Sequence, residues 1–408
     1  MDIRPILSTL RRHKTAAALI VIEIALSCAI ICNAVFLISE RVQRIDMPSG
    51  VADNAIVDIH IAGIGEDQNA NALTREDLAA LRGIPGVVSA SVANQVPFNN
   101  SSWNSSLGTK PDDRGVDGPN ATMYMGSETL RDTLGVRLIA GRDLDPGEYV
   151  DFDPGVGFGN LSLHSIVITQ SLAKKLFPDG DALGKNIYFG DNKPITIVGI
   201  VDTLVRPAFF GESAGYGYSM ILPIRVPYTA GGHYLLRTTP GQRDRVIADA
   251  VKALERNNPN RIILDKKTLQ SMRDEFFRQD QSMVCLLAAV CIALLVVTAL
   301  GIVGLASFWV QQRTRQIGVR RALGATRGQI LRYFQTENFL LATLGIVIGM
   351  LMAYGINQLL MGKYELPRLP AIYLPVGAVT LWLLGQIAVF GPARRAAAVP
   401  PAVATRTV

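Results

Sequence analysis

Apolar residues in this chain gather into four long runs separated by polar stretches of very unequal length. The first run, residues 16–38, is long enough to cross about 30 Å of hydrocarbon as a helix rising 1.5 Å per residue. The others are residues 283–310, 330–360 and 372–391, and each meets the same length criterion. The pattern predicts four membrane-spanning helices. A cleaved signal peptide is the rival reading of the first run, but its apolar region would be shorter and end in small residues, so an uncleaved anchor is expected.

Between the first and second runs, residues 39–282 alternate short strand-like and helix-like patterns. Ala55–Ile61 reads as a strand and Gly86–Ala93 as the next. The helix between them carries Leu78 and Leu81, with Thr74 and Asp77 spaced as a capping box. A second β-α-β pattern joins Tyr234–Arg237 and Arg261–Leu264 through a helix with Val246, Ile247, Ala250, Val251 and Leu254 on one face. The stretch between the two patterns is rich in Gly, Asn and Ser and holds short β-like pieces at Thr122–Met125, Ser165–Thr169, Asn186–Phe189 and Ile195–Val201. The expected fold class is therefore a membrane protein with four transmembrane helices and a large α+β extracytoplasmic domain. Two β-α-β halves, about residues 52–98 and 232–268, would flank an inserted, mostly β subdomain at about 99–231. Ser39–Ile45 and Leu269–Gln281 are expected to extend the first two spans as a helical stalk.

Charge fixes the expected orientation. Residues 40–282 carry 25 Lys+Arg against 30 Asp+Glu, and the rest of the chain 15 against 4. The overall formal charge of +6 thus sits beside the apolar runs and not on the polar middle, which argues against nucleic-acid binding. Arg11, Arg12 and Lys14 precede the first run. Arg313, Arg315, Arg320, Arg321, Arg327 and Arg332 surround the second connection, and Arg394, Arg395 and Arg406 follow the fourth run. Cationic connections stay in the cytoplasm. The expected topology therefore has segment 1–15, loop 311–329 and tail 392–408 inside, with 39–282 and the short loop 361–371 outside. Glu23, Asn33 and Glu337 lie within or near the runs and are expected to make helix–helix hydrogen bonds or to sit near the interface. Gly345 and Gly349 form a GxxxG that permits close helix approach. The four cysteines, Cys28, Cys32, Cys285 and Cys291, all fall in apolar runs, so the middle region can form neither a disulfide framework nor a cysteine-based zinc site.

Chemistry-bearing motifs are weak. Gly211–Gly215 matches GxSxG around Ser213, but a nucleophile elbow needs a strand before it, a helix after it and a histidine late in the fold. Gly180–Asn186 evokes a P-loop with the wrong spacing and with Asn after its lysine, so a turn is expected. His13, His60, His164 and His233 show no metal-ligand spacing. Asp112-Asp113 and Asp151/Asp153 are expected to be solvated loop charges. No bond chemistry, metal or cofactor is expected on this chain. A membrane-anchored enzyme using Ser213 is the contrary reading.

The most informative stretch is QQRTRQIGVRRALGATRGQILRYF, from Gln311 to Phe334. It predicts a short arginine-rich helix, a break at Gly324-Ala325, and a new helix capped by Thr326 with Gln329 at the third helical position. Such a helix suits an anionic membrane surface or a groove on a cytoplasmic partner. RQIGVRRALGATRGQILRYFQTENFLLATLGIVIG resembles the signature of the FtsX-like/MacB-like permeases of ABC transporters. The segments LTREDLAALRGIPGVVSASVANQVPF, LGVRLIAGRDL and SIVITQSLAKKLFPDGDALGKNIYFGDNKPITIVGIVD resemble that family's periplasmic core domain.

The resemblance implies a non-catalytic inner-membrane permease that pairs with a second copy or a sister permease and is driven by two copies of a separate cytoplasmic ABC ATPase, which bind the ATP. By position it assigns ATPase coupling to Gln316, Ile317, Gly318, Val319, Arg320, Arg321, Ala322, Leu323, Gly324 and Ala325. Gln316 stands where the family usually has Glu, so one charge-assisted contact, worth about 1.5–3 kcal/mol where it exists, is absent or replaced here. MacB-like exporters also engage a periplasmic adaptor and an outer-membrane channel. Family members that instead regulate a cell-wall hydrolase or release lipoproteins keep two alternatives to export open.

Overall fold

The structure is a computed structural model that describes residues 14–65, 69–111, 118–158, 161–189, 193–208, 215–364 and 368–398. Helix α1, Lys14–Ile45, runs unbroken through the first apolar run and past Ser39. The chain then forms one unit from Asp46 to Arg278, while Met1–Ile45 and Gln279–Val408 form another.

In the first of these units, strand β1 (Ile56–Gly63) leads to α2 (Ala70–Arg82) and β2 (Val87–Ala93). The inserted stretch holds β3 (Asn104–Ser106), β4 (Asn120–Met125), α3 (Leu130–Leu134), β5 (Leu138–Gly141), β6 (Val150–Asp151), β7 (Ser165–Thr169), α4 (Gln170–Leu176), β8 (Asn186–Ile187), β9 (Ile195–Val201), β10 (Ser219–Leu222) and β11 (Ile224–Arg225). The chain returns through β12 (His233–Thr238), α5 (Arg243–Asn257), β13 (Arg261–Thr268) and α6 (Leu269–Phe276).

The two β-α-β halves interlock. Their sheet runs β13-β1-β12-β2 with every neighbour antiparallel, so each half receives a strand of the other between its own two. This is the split β-α-β arrangement. Helices α2 and α5 pack on it through Leu78 and Leu81 and through Val246, Ala250 and Leu254, the helical spacing that places apolar side chains on one face. The inserted stretch builds a seven-stranded mixed sheet, ordered β3-β4-β10-β7-β9-β5 with β8 beside β9. Strand β7, Ser-Ile-Val-Ile-Thr, lies between β10 and β9 and is buried at every position, which explains its unbroken apolar centre.

Two local expectations are corrected. Helix α2 starts at Ala70, not after Thr74. Thr74 is inside it, donating to Ala70 O (2.6 Å) and accepting from the Tyr228 N–H (2.9 Å), and Asp77 is a fully buried partner of Arg261 and Tyr234. The helix interior uses both side chains for tertiary contacts, so no capping box forms there. The second stalk extension is also interrupted. Phe277 leaves the helical conformation at φ −90°, ψ 3°, and its buried ring meets Phe98 and Phe276 at 6.0 and 5.0 Å between centroids.

Beyond that break come α7 (Arg278–Gln312), α8 (Thr314–Ala322), α9 (Arg327–Tyr364) and α10 (Tyr373–Ala398). Helices α1, α7, α9 and α10 are long and apolar enough to cross a membrane. Buried Ile20, Ile24, Cys28 and Phe36 of α1 share a core with Leu341, Ile346 and Ala353 of α9 and with Ala378 and Leu381 of α10. Polar groups tie the helices together. Ser27 and Thr298 hydroxyls meet at 2.7 Å, Asn33 Nδ2 donates to Ala353 O at 3.1 Å, and Arg41 pairs with Asp280. A Cβ on Gly349 would come within 2.5 Å of Cys28 Cβ and 2.6 Å of Ala25 O, and one on Gly345 within 2.9 Å of Ile24 Cβ. Replacing Gly349 with Leu is therefore expected to push α9 off α1 and to cost roughly 1–3 kcal/mol or more. A lowered thermal midpoint of the detergent-solubilised chain would show this, and an unchanged midpoint would refute it.

Candidate functional site

The ten residues singled out between the second and third spans form α8 and the turn after it. Helix α8 closes with Gly324 in the left-handed region at φ +97°. The Gly324 N–H donates to Arg321 O and the Ala325 N–H to Arg320 O, at 3.1 and 3.0 Å, the bond pair that ends a helix on a glycine. The next helix begins at once. The Thr326 N–H donates to Gln329 Oε1 at 2.9 Å and the Gln329 N–H to Thr326 Oγ1 at 3.3 Å, a reciprocal capping box. The elbow is thus set by local chemistry on both sides of the turn.

Three anchors hold α8 in place. Arg313, at the corner between α7 and α8, donates from Nη1 to both carboxylate oxygens of Glu337 at 3.0 and 2.8 Å. Both side chains are buried, 7% and 2% exposed, and the guanidinium lies over the Trp309 ring. Arg321 donates to Ala397 O at 3.0 Å, placing a cation on the last turn of α10, where the helix dipole favours one. Buried Ile317 packs with Ile330 and Phe334 of α9 and Ala393, Ala396 and Ala397 of α10.

These anchors divide the surface of α8. Gln316, Ile317 and Arg320 face the start of α9 and line a cleft of about 420 Å³ together with Arg313, Gln329, Arg332 and Tyr333. Gly318 is buried, while Arg315, Val319, Ala322 and Leu323 form an exposed stripe elsewhere on the helix. Leu323 is 82% exposed and Val319 46%.

Glu337 makes a hydrogen bond between helices, one of the two outcomes expected for it, and its partner is Arg313, one of the arginines of the second connection. Elsewhere, the structure brings together residues whose spacing gave no signal. His60 and His233 stack at 4.2 Å between ring centroids, and His233 Nδ1 is hydrogen-bonded to Asp58 Oδ2 at 2.9 Å. Burial and the neighbouring His233 hold the His60 pKa below its usual value. Gly180–Asn186 forms a turn stabilised by Asp181 Oδ1 accepting from the Leu183 N–H at 3.0 Å. Asp151 faces Arg225 and Arg75 at 3.6 and 3.8 Å, and Asp153 accepts from the Gly155 N–H. Ser213 and Asp112-Asp113 lie outside the described residues. Among the described residues no group of three His, Cys, Asp or Glu side chains could hold a metal ion.

Residues 16–254 match the family described as the MacB-like periplasmic core domain, and residues 288–401 match the FtsX-like permease C-terminal family. The chain belongs to the MacB-like/FtsX-like permease family. It is therefore a membrane permease of the ABC-transporter class, with transmembrane helices and a MacB-like α+β domain. A macrolide export ATP-binding/permease protein MacB from Shewanella oneidensis is 28% identical over 364 residues, covering 83% of this permease and 50% of that protein. The MacB of Chromobacterium violaceum is 26% identical over 278 residues, covering 64% of this chain and 42% of its own. The permease thus spans about half or less of the length of these curated relatives. The crystallised periplasmic region of MacB from Actinobacillus actinomycetemcomitans is similar over 57% of this chain and 97% of that one, at 15% identity and a TM-score of 0.32.

Proposed function

We propose that this permease is the membrane subunit of a MacB-like export system, powered by an ABC ATPase dimer on a separate cytoplasmic chain. The arginine bias supports an orientation with both termini and α8 in the cytoplasm and residues 40–282 in the periplasm. The relatives are named for macrolide export and for ATP binding as well as permease function. The family resemblance is what assigns ATP hydrolysis to a partner ATPase in this reading, and the P-loop-like stretch Gly180–Asn186 has the wrong spacing to cradle a phosphate itself.

The observation that carries the proposal is the division of α8 into an anchored face and an exposed one. An exposed aliphatic stripe on an amphipathic helix fits a groove on a partner protein. The anchored face, through Arg313–Glu337 and Arg321–Ala397, ties any movement of that stripe to α7, α9 and α10. Closure of the ATPase dimer would then tilt the spans, and the motion would pass along the chain at Ile45–Asp46 and Phe277–Arg278 to the periplasmic domain. In this reading Val319 and Leu323 enter the ATPase, Gly324 and Ala325 shape the elbow, and a second permease copy or a sister permease completes the pair. The periplasmic domain would hand substrate to an adaptor and an outer-membrane channel.

Substituting Val319 and Leu323 together by Glu is expected to reduce co-purification of the ATPase by about tenfold or more, because two apolar anchors of a docked helix are lost. Undiminished co-purification from a chain that still migrates as the wild type on size exclusion removes the coupling assignment.

A further inference from the structure

The cleft between α8 and the start of α9 is not explained by ATPase docking, because it lies on the anchored face. We infer that it binds the headgroup of an anionic glycerophospholipid, so that α8 is seated on a lipid as well as on protein. The inference stands on the membrane-spanning character of α9 and not on the ATPase assignment.

The cleft is strongly cationic and also partly apolar. Arg320 and Arg332 line it, and neither has a carboxylate partner among the described residues. Arg320 lies over the Tyr333 ring at 5.1 Å, which orients its guanidinium without neutralising it. Behind them, Arg313 is buried, and its Nη2 has no hydrogen-bond partner while Nη1 serves Glu337. Gln316 and Gln329 add neutral donors at the rim, and Ile317, Ile330 and Phe334 form the floor. A phosphate would meet two accessible guanidiniums and two amides, while the third, buried guanidinium of Arg313 is already paired with Glu337.

Position selects the source of that phosphate. The α9 residues of the cleft, Gln329 to Phe334, lie at the foot of the span, and from Phe339 to Gly362 the helix carries no charged residue. A basic pocket at that level, at the end of a membrane-spanning helix, meets lipid headgroups. Ile330 and Phe334 are already covered by Ile317 and α10, so it is the level of the cleft at the foot of the span that favours a lipid phosphate over free inorganic phosphate. An acidic segment of a partner protein would match the charge, but the exposed apolar stripe that would receive a protein is a different face of α8.

The test uses the full chain, purified in a neutral detergent and examined by native mass spectrometry after adding phosphatidylglycerol, cardiolipin, phosphatidylcholine or inorganic phosphate. The two anionic lipids are expected to remain bound, and phosphatidylcholine and phosphate are not. The double variant Arg320→Gln/Arg332→Gln is expected to hold phosphatidylglycerol roughly thirtyfold more weakly, whereas Arg315→Gln/Arg327→Gln, which removes two arginines outside the cleft, holds it as the wild type does. Arg320→Lys/Arg332→Lys keeps the charge and is expected to retain most of the binding, which separates loss of the site from loss of the fold. Equal retention by both glutamine variants overturns the inference, as does phosphate competing fully with the lipid. Loss of ATPase capture by Arg320→Gln/Arg332→Gln with lipid retention unchanged would give the cleft to a protein and also overturn it.

Discussion

Replacing Asp77 with Asn is expected to destabilise the α+β unit by about 3–5 kcal/mol, the usual cost of leaving one member of a buried ion pair without its counterion. Asp77 is fully buried, and the Arg261 side chain is 3% exposed. Arg261 reaches both carboxylate oxygens, Nη1 to Oδ2 and Nη2 to Oδ1, the latter at 2.9 Å. Tyr234 Oη donates to Oδ2 at 2.5 Å and Asn257 Nδ2 to Oδ1 at 3.2 Å. One carboxylate therefore joins α2, β12, the end of α5 and the start of β13, which are the parts of both interlocked halves. Burial and the Asp77 charge push the Tyr234 phenol well above its ordinary pKa, so it remains a donor. Asparagine keeps the shape but lacks the charge and presents one acceptor oxygen, so Arg261 would be left as an uncompensated buried cation. Its contact over the Tyr228 ring at 5.1 Å and its bond to Leu254 O cannot replace a counterion. Urea-dependent proteolysis of the full chain, followed through fragments from residues 46–278, measures the loss. A double variant, Asp77→Leu with Arg261→Met, is expected to recover part of it, because removing both charges also removes their desolvation cost while the Tyr234 phenol loses its acceptor. If Asp77→Asn unfolds at the wild-type urea concentration, the hub does not hold the unit together.

Asp77 also shows where reading the sequence stops. Thr74 and Asp77 have the spacing of a helix start, and local spacing offered no other use for them. Their true partners, Tyr228, Tyr234 and Arg261, lie more than a hundred and fifty positions further along the chain. The helix itself was legible, because Leu78 and Leu81 repeat at the period of a buried helical face. The four spans were legible for a stronger reason. Crossing a bilayer demands some twenty apolar residues whatever the neighbours are, so the signal is local. Strand pairing is not local. Both β-α-β halves could be seen as patterns, yet the insertion of β12 between β1 and β2 depends on residues separated by the whole inserted sheet. The elbow at Gly324 was readable down to its capping bonds, since the glycine, Thr326 and Gln329 interact only with their own turn. Its anchoring was not, because Arg313 resembles every other arginine of the loop until α9 brings Glu337 beside it.

That pair yields the other large expected effect. Glu337→Gln leaves Arg313 charged and buried at the corner between α7 and α8, with Nη2 already unpartnered. The cost is again about 3–5 kcal/mol, but its location differs. Arg313 O accepts the Ile317 N–H at 2.9 Å, and its guanidinium lies 5.5 Å from the centre of the buried Trp309 ring, so displacement of Arg313 disturbs the last turn of α7 and the first turn of α8 together. Amide exchange in residues 314–326 of the detergent-solubilised variant is expected to accelerate, and its thermal midpoint to fall. Arg313→Met with Glu337→Met is expected to restore the midpoint while leaving a neutral corner. The outward stripe at Val319 and Leu323 is untouched by Glu337→Gln, so under the proposed function ATPase association is expected to persist while its coupling to the spans is lost. Binding without coupling would separate the two faces of α8 functionally. Wild-type exchange in residues 314–326 would instead mean that the elbow is held by Ile317 and Arg321 alone, and the buried pair would then have no part in force transmission.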